Sequence, residues 1–162
     1  MIFIVEDGTG KSDATSYVSV AEFLSYWDNR LVDYSGEEID TISNWLNLAT
    51  QYADSICNWG GSLYSTDQAL QIPRSDWTDR DGRDYSESVP AFVKNGVCEL
   101  AAIRQADNFE TVTNTGVASE SYGPVSITYS SDSGSARILY PTAMKYFSRG
   151  IFNFGSLRAV PT

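Results

Sequence analysis

Residues 42–61 read ISNWLNLATQYADSICNWGG. Ile42, Trp45, Leu46, Ala49, Tyr52, Ala53 and Ile56 recur at spacings of three and four, the period of one helix face, and Gly60-Gly61 ends the run. Burying Trp45, Leu46 and Ile56 stabilises a fold by about 1.5–3 kcal/mol each. The stripe fits helical spacing without remainder, so it reads as core rather than as a cofactor site. A helix with so broad an apolar face needs partners, and both flanks supply them.

Upstream, Ser19-Val20-Ala21-Glu22 is a capping box, in which the Ser oxygen and the Glu carboxylate satisfy amides at a helix start. Val20, Phe23, Leu24, Trp27 and Leu31 then predict a first helix of about three turns. Residues 33–36 interrupt it, and Ser35-Gly36-Glu37-Glu38 reads as a second capping signature. Downstream, Ser88-Val89-Pro90 opens a third helix, with proline near its first position, where the missing N–H costs nothing. Val93, Val97, Leu100, Ala101 and Ile103 give that helix an apolar face, with Glu99 and Arg104 left to solvent.

Between these helices lies a connection, residues 59–90, WGGSLYSTDQALQIPRSDWTDRDGRDYSESVP. Connections beyond about 12–15 residues in a compact domain call for an explanation of their own. Leu70 and Ile72 can pin this one across the two helices it joins, as an ordered flap with residues 76–84 as its exposed tip. Trp77, Asp79, Arg80 and Asp81 are then candidates for contact with a neighbouring subunit. The aspartates at 76, 79, 81 and 84 also suggest a calcium loop. An EF-hand loop built on Asp81-Gly82 would begin at Trp77 and put Ser88 where the bidentate Glu belongs, so the pattern fails at both ends. A tight Asp-Gly turn, with aspartates solvated or paired to Arg80 and Arg83, fits better.

The remaining segments are shorter. Residues 2–5 are a short apolar run predicted as an edge strand, ended by Glu6-Asp7-Gly8. Gly10-Lys11-Ser12 looks like the end of a phosphate-binding loop, but position 5, where that loop needs glycine, is Val. Residues 117–122 and 125–129 flank Gly123-Pro124 and predict a β-hairpin. Pro141 starts a short helix with Met144 and Phe147 on its apolar side, and Gly150 ends it. A non-periodic tail follows, in which Ile151, Phe152, Phe154, Leu157 and Arg158 are candidates for contact with a partner or a neighbouring copy. The expected fold is α+β and mainly α. It is a small bundle of three to four helices, with a protruding hairpin at about 117–129 and an extended C-terminal tail. The helical domain spans 1–149 and the tail 150–162.

Composition narrows the function. The 162 residues suffice for one core, and 42% apolar and 13% aromatic residues are globular values. Four Trp and ten Tyr exceed what one core needs, so some rings are expected at interfaces. Cys57 and Cys98 have no metal-ligand spacing, and the chain has no His, which excludes a zinc site; both read as small buried apolar residues. No apolar run approaches the roughly 18 residues of a membrane span, and the N-terminus lacks signal-peptide features. A soluble, unsecreted protein without a membrane partner is expected. No GxSxG or Cys/His arrangement is present, and nothing singles out a carboxylate pair for glycoside cleavage. Neither enzyme activity nor a cofactor is expected.

Charge is uneven. The net charge is −10; residues 1–55 carry −8, whereas residues 133–162 carry Arg137, Lys145, Arg149 and Arg158 with no acid. An acidic body with a basic, aromatic tail suggests head-to-tail contact between copies or with an acidic partner. Arg137, Tyr140, Lys145, Tyr146, Phe147, Arg149, Phe152, Phe154 and Arg158 also resemble a single-strand-binding surface of cations and stacking rings. Four cations are few for that purpose, and the rest of the chain repels a polyanion.

Several stretches, in order along nearly the whole chain, resemble one phage family. They are Val5-Glu6-Asp7-Gly8-Thr9-Gly10, Ala14-Thr15-Ser16-Tyr17-Val18-Ser19-Val20-Ala21-Glu22, Ala49-Thr50-Gln51-Tyr52, Trp59, Gln68-Ala69-Leu70 and Pro73-Arg74. Asp79-Arg80-Asp81-Gly82, Val89-Pro90, Val93-Lys94, Glu99-Leu100-Ala101 and Gly123-Pro124-Val125 complete the set. The family is that of phage head–tail connector or adaptor proteins, many of which are called DnaT-like single-stranded-DNA-binding proteins. Ile72 departs from it, standing where an aromatic is common, and the tail after Arg149 lies beyond the shared pattern. The resemblance implies a structural virion protein at the head–tail junction, assembled in the host cytoplasm. Copies of itself would form a dodecameric ring beneath the portal protein, meeting a tail or nozzle protein below. Genomic double-stranded DNA would pass through without sequence-specific binding. The alternative, implied by the DnaT-like name, is single-stranded-DNA binding.

Overall fold

The computed structural model describes residues 2–79, 81–106, 119–122, 125–128 and 140–151. Four helices, α1 (Val20–Asp28), α2 (Ile39–Ile56), α3 (Ala91–Ala106) and α4 (Pro141–Phe147), pack around one core. Strands β1 (Ser62–Leu63) and β2 (Arg74–Ser75) pair antiparallel within the 59–90 connection. Strands β3 (Ser119–Tyr122) and β4 (Val125–Thr128) form a separate antiparallel pair, with Ser119 opposite Thr128 and Tyr122 opposite Val125. The mainly helical α+β class follows as expected.

The stripe on α2 places Ile42, Leu46, Ala49 and Ala53 in the core, while Trp45, Tyr52 and Ile56 are half-buried along its edge. Phe92, Val93, Val97, Leu100 and Ala101 of α3 join them. The pair α2–α3 forms the centre of the bundle, and α4 lays Ala143, Met144 and Phe147 on α3. Gly96 of α3 is the seat for Phe147, because any Cβ there would overlap the Phe147 ring.

Helix α1 has the predicted capping box, with Ser19 Oγ accepting from the Glu22 amide and Glu22 accepting from the Ser19 amide. It ends at Asp28, earlier than its apolar spacing suggests. Leu31 lies beyond it, exposed and at φ 60°, so it is not part of the stripe. The second capping signature does not act: Glu38 is the N-cap of α2, without a side-chain hydrogen bond, and Asp33 accepts the Ser35 amide in a local turn. Residues 2–5 make no strand; one parallel bridge joins Val5 to Ser16. Glu99 is not left to solvent, since it accepts a 2.6 Å hydrogen bond from the Tyr26 hydroxyl. The Gly10-Lys11 loop is an anion cradle filled from within. The fully buried Glu6 carboxylate accepts amides of Gly8 (2.8 Å), Gly10 (3.0 Å) and Lys11 (2.8 Å).

Candidate functional site

The flap and the root of the tail meet at one place, built upward from Asp54 near the end of α2. The half-buried Asp54 carboxylate accepts from the Tyr17 hydroxyl (2.8 Å), the Trp59 indole (3.2 Å) and the Gln71 amide (3.0 Å). Burial pushes its carboxyl up, against the opposing pull of the Gln71, Tyr17 and Trp59 hydrogen bonds and of Arg74. The Tyr17 hydroxyl also accepts the Ile72 amide (3.0 Å), so the flap is tied to the N-terminal segment and to α2 through two adjacent residues. Leu70 and Ile72 are buried, as their apolar character led one to expect. Arg74 reaches back to the carbonyls of Gly60 (2.9 Å) and Gly61 (3.0 Å). Gly61 sits at φ +67°, where a Cβ would run into the Ser75 carbonyl, so only glycine lets β1 and β2 close.

Trp77 lies at the centre of this junction. Its ring is 1% exposed and makes edge contacts with Trp59, Tyr85 and Phe92. Its indole N–H donates to the Gly150 carbonyl (3.1 Å), which also accepts the Gly60 amide (3.1 Å). The next residue, Ile151, bridges to Trp59. Trp77 is therefore a core residue, and the expectation that it faces a neighbouring subunit is corrected: the aromatic anchor points inward because Trp59 and Phe92 offer it a dry seat. Asp79 is also turned inward, its side chain 6% exposed. It accepts the amides of Asp81 and Arg83 (both 2.9 Å) and the Tyr85 hydroxyl (3.0 Å), and the Arg83 amide contributes most to holding its carboxyl below the usual range. Asp81 is exposed and pairs with Arg83. Arg80 lies outside the described residues.

Gly150 and Ile151, assigned by sequence to the start of the tail, are held against Trp59, Gly60 and Trp77. Phe152, Phe154, Leu157 and Arg158 lie outside the described residues. Between flap tip and tail root is an open, polar cleft of about 740 Å³, lined by Thr78, Asp79, Asp81, Arg83, Ser148 and Arg149 among others. Its polarity does not match the apolar pockets that take small ligands. Among the described residues no His/Cys/Asp/Glu group has the arrangement of a metal site, and no described helix is long and apolar enough to cross a membrane. Burial pushes the Cys98 thiol up to about 12, which leaves it unreactive.

Of the residues singled out as a nucleic-acid surface, the three described rings are committed elsewhere, and Arg137, Phe152, Phe154 and Arg158 lie outside the described residues. Phe147 is fully buried, Tyr140 stacks edge-on to Tyr52, and the Tyr146 hydroxyl lies 3.3 Å from the Tyr26 hydroxyl. Tyr64 alone, among the aromatic residues whose exposure is described, is open to solvent. Lys11 is held by Asp7 and the Val5 carbonyl, Lys94 by Glu22, and Arg30 by the face of Tyr26. Lys145 and Arg149 remain exposed on α4 and the turn after it.

A family model described as "Putative DnaT-like ssDNA binding protein" matches residues 1–160. The chain belongs to that family. No curated protein and no solved structure gives a significant match. In this DnaT-like chain, sequence reasoning missed Asp54, Glu6 and Gly150 as organising residues. A faint signal existed for Asp54, which sits four residues after the buried Thr50 on the apolar side of α2. Nothing local marked Glu6 or Gly150.

Proposed function

We propose that this protein is a structural, non-enzymatic component of a phage virion. In this reading it is a ring-shaped adaptor beneath the portal that extends the DNA channel and joins portal to tail. The observation that carries it is the junction at Gly150–Ile151: a root anchored to the core, after which the sequence continues with Phe152, Phe154, Leu157 and Arg158. Such a root delivers an interaction segment from a fixed point, and ordering that segment on a partner costs a few kcal/mol that buried apolar area offsets. The acidic body fits a conduit, because carboxylates repel the DNA backbone and let it slide. The likeness to head–tail connector proteins across nearly the whole sequence supports the same reading. Partners would be further copies of the chain, the portal and a tail or nozzle protein, with the host cytoplasm as the place of assembly.

Electron microscopy of the purified protein with and without portal tests this. Rings seated on the portal are the expected image; a protein that never co-purifies with portal overturns the proposal. The family description favours a second reading, single-stranded-DNA binding. That reading requires tight, salt-sensitive retardation of an oligonucleotide at low salt. Migration of the oligonucleotide unchanged by the protein rejects it.

A further inference from the structure

Glu6 sits in a loop with the chemistry of an oxyanion site. Its side chain is fully buried, and among the described residues it pairs with no cation: its partners are three backbone amides. Oε1 accepts from Gly8 (2.8 Å) and Gly10 (3.0 Å), and Oε2 accepts from Lys11 (2.8 Å). Gly8 and Gly10, at φ +102° and +73°, let successive amides face one point, the arrangement of an anion-binding nest. A buried charge is tolerated where hydrogen bonds replace its hydration, and here the amides do so. The Lys11 ammonium is spent on Asp7 (2.9 Å) and the Val5 carbonyl (2.8 Å) instead. The same loop is pressed against both ends of the flap. A Cβ at Gly8 would stand 3.0 Å from the Glu87 carbonyl oxygen, and one at Gly10 3.2 Å from the Tyr64 ring. The Lys11 carbonyl accepts the Ala69 amide (2.9 Å), and behind the loop the Glu6 amide donates to the Ser16 carbonyl (2.9 Å).

We propose that residues 6–11 form a carboxylate-binding site, that Glu6 is its resident ligand, and that its occupancy clasps the N-terminal loop to the flap. The division of labour between the two oxygens selects the ligand class, because a planar carboxylate presents both to the three amides at once. With the Glu6 side chain removed, the nest is open to a small carboxylate from solution, such as formate. With Glu6 in place it is closed, so the Gly10-Lys11-Ser12 sequence offers its amides to no phosphate. The clasp follows from position. Gly8 lies on residues 87 and 88, Gly10 on residues 64, 65 and 68, and the carboxylate between their amides holds both in place. The proposal concerns the lone chain and is independent of the adaptor and single-strand readings.

Thermal unfolding of full-length Glu6→Ala in sodium formate, against sodium chloride at equal ionic strength, provides the test. Formate at about ten times its dissociation constant should raise the variant's midpoint by about 3–6 °C and leave the parent at its chloride value. Glu6→Gln fills the same space with an amide and should not respond. Limited proteolysis should cut the flap faster in Glu6→Ala than in the parent, with formate slowing the cut again. No response in Glu6→Ala, an equal response in the parent or in Glu6→Gln, or flap cleavage indifferent to formate would each overturn the proposal. Amide exchange in the parent keeps the test decisive should Glu6→Ala fail to fold. Gly8, Gly10 and Lys11 should exchange at least about tenfold more slowly than Thr9, whose amide goes to the exposed Asp7 carboxylate; rates equal to that of Thr9 would show that no carboxylate holds the nest.

Discussion

Gly96 shows how much one missing methyl group decides. In an exposed helix, alanine is favoured over glycine by about 1 kcal/mol. Here an alanine Cβ would collide with the Phe147 ring, which is buried and has Trp59 edge-on behind it. Gly96→Ala should lower stability by about 1–3 kcal/mol in urea unfolding; an unchanged or raised midpoint would show that α4 is not seated there. Glu22 carries a pH dependence. Burial acts to raise its carboxyl, but Lys94 at 2.6 Å and the Ser19 contacts outweigh it and hold the group below its usual value of 4.5. A depressed folded value means stability that is present above 4.5 and lost as pH falls through the folded value. Glu22→Gln should therefore melt below the parent at neutral pH, with the gap closing on acidification. Asp54 has the opposite sign: its raised value gives a contribution complete below 3.8 and lost as pH rises, so it does not drive acid unfolding.

Among the elements, helices were readable and the flap's direction was not. The stripe on α2, the capping box of α1 and proline at the start of α4 each act within a turn or two, so the sequence shows them directly. The early end of α1 depends on Leu31 taking a left-handed conformation that no local pattern advertises. Trp77 illustrates the larger gap. Flanked by aspartates, it reads as part of an exposed tip, yet it is buried because Trp59, Phe92 and Gly150, distant in sequence, converge on it. Trp77→Ala should cost about 3–5 kcal/mol, whereas Asp81→Ala, farther along on the exposed tip, should stay within about 0.5 kcal/mol. Equal effects in denaturant titrations would mean that the flap is not anchored through its tryptophan. Leu100→Ala, fully buried on α3, belongs with the first class at about 2–5 kcal/mol.

For the molecule as a whole, the question is where the folded body stops and the segment proposed to make the assembly contact begins. Sequence places that boundary after Arg149, because Gly150 reads as the end of the helix that Pro141 opens. The hydrogen bonds to Gly150 and the Trp59–Ile151 bridge are tertiary and leave no local trace. Two truncations separate the roles. A chain ending at Ile151 keeps the Gly150 carbonyl beneath the Trp77 indole, and should melt with the parent. A chain ending at Arg149 leaves that buried N–H without a protein acceptor, and should lose about 1–3 kcal/mol. Both lack Phe152, Phe154, Leu157 and Arg158, so on the proposed adaptor reading both should fail to dock onto portal, the longer one while fully folded. Normal docking by the chain ending at Ile151 would remove the tail from the interface and leave the exposed faces of the helical body to make the contact.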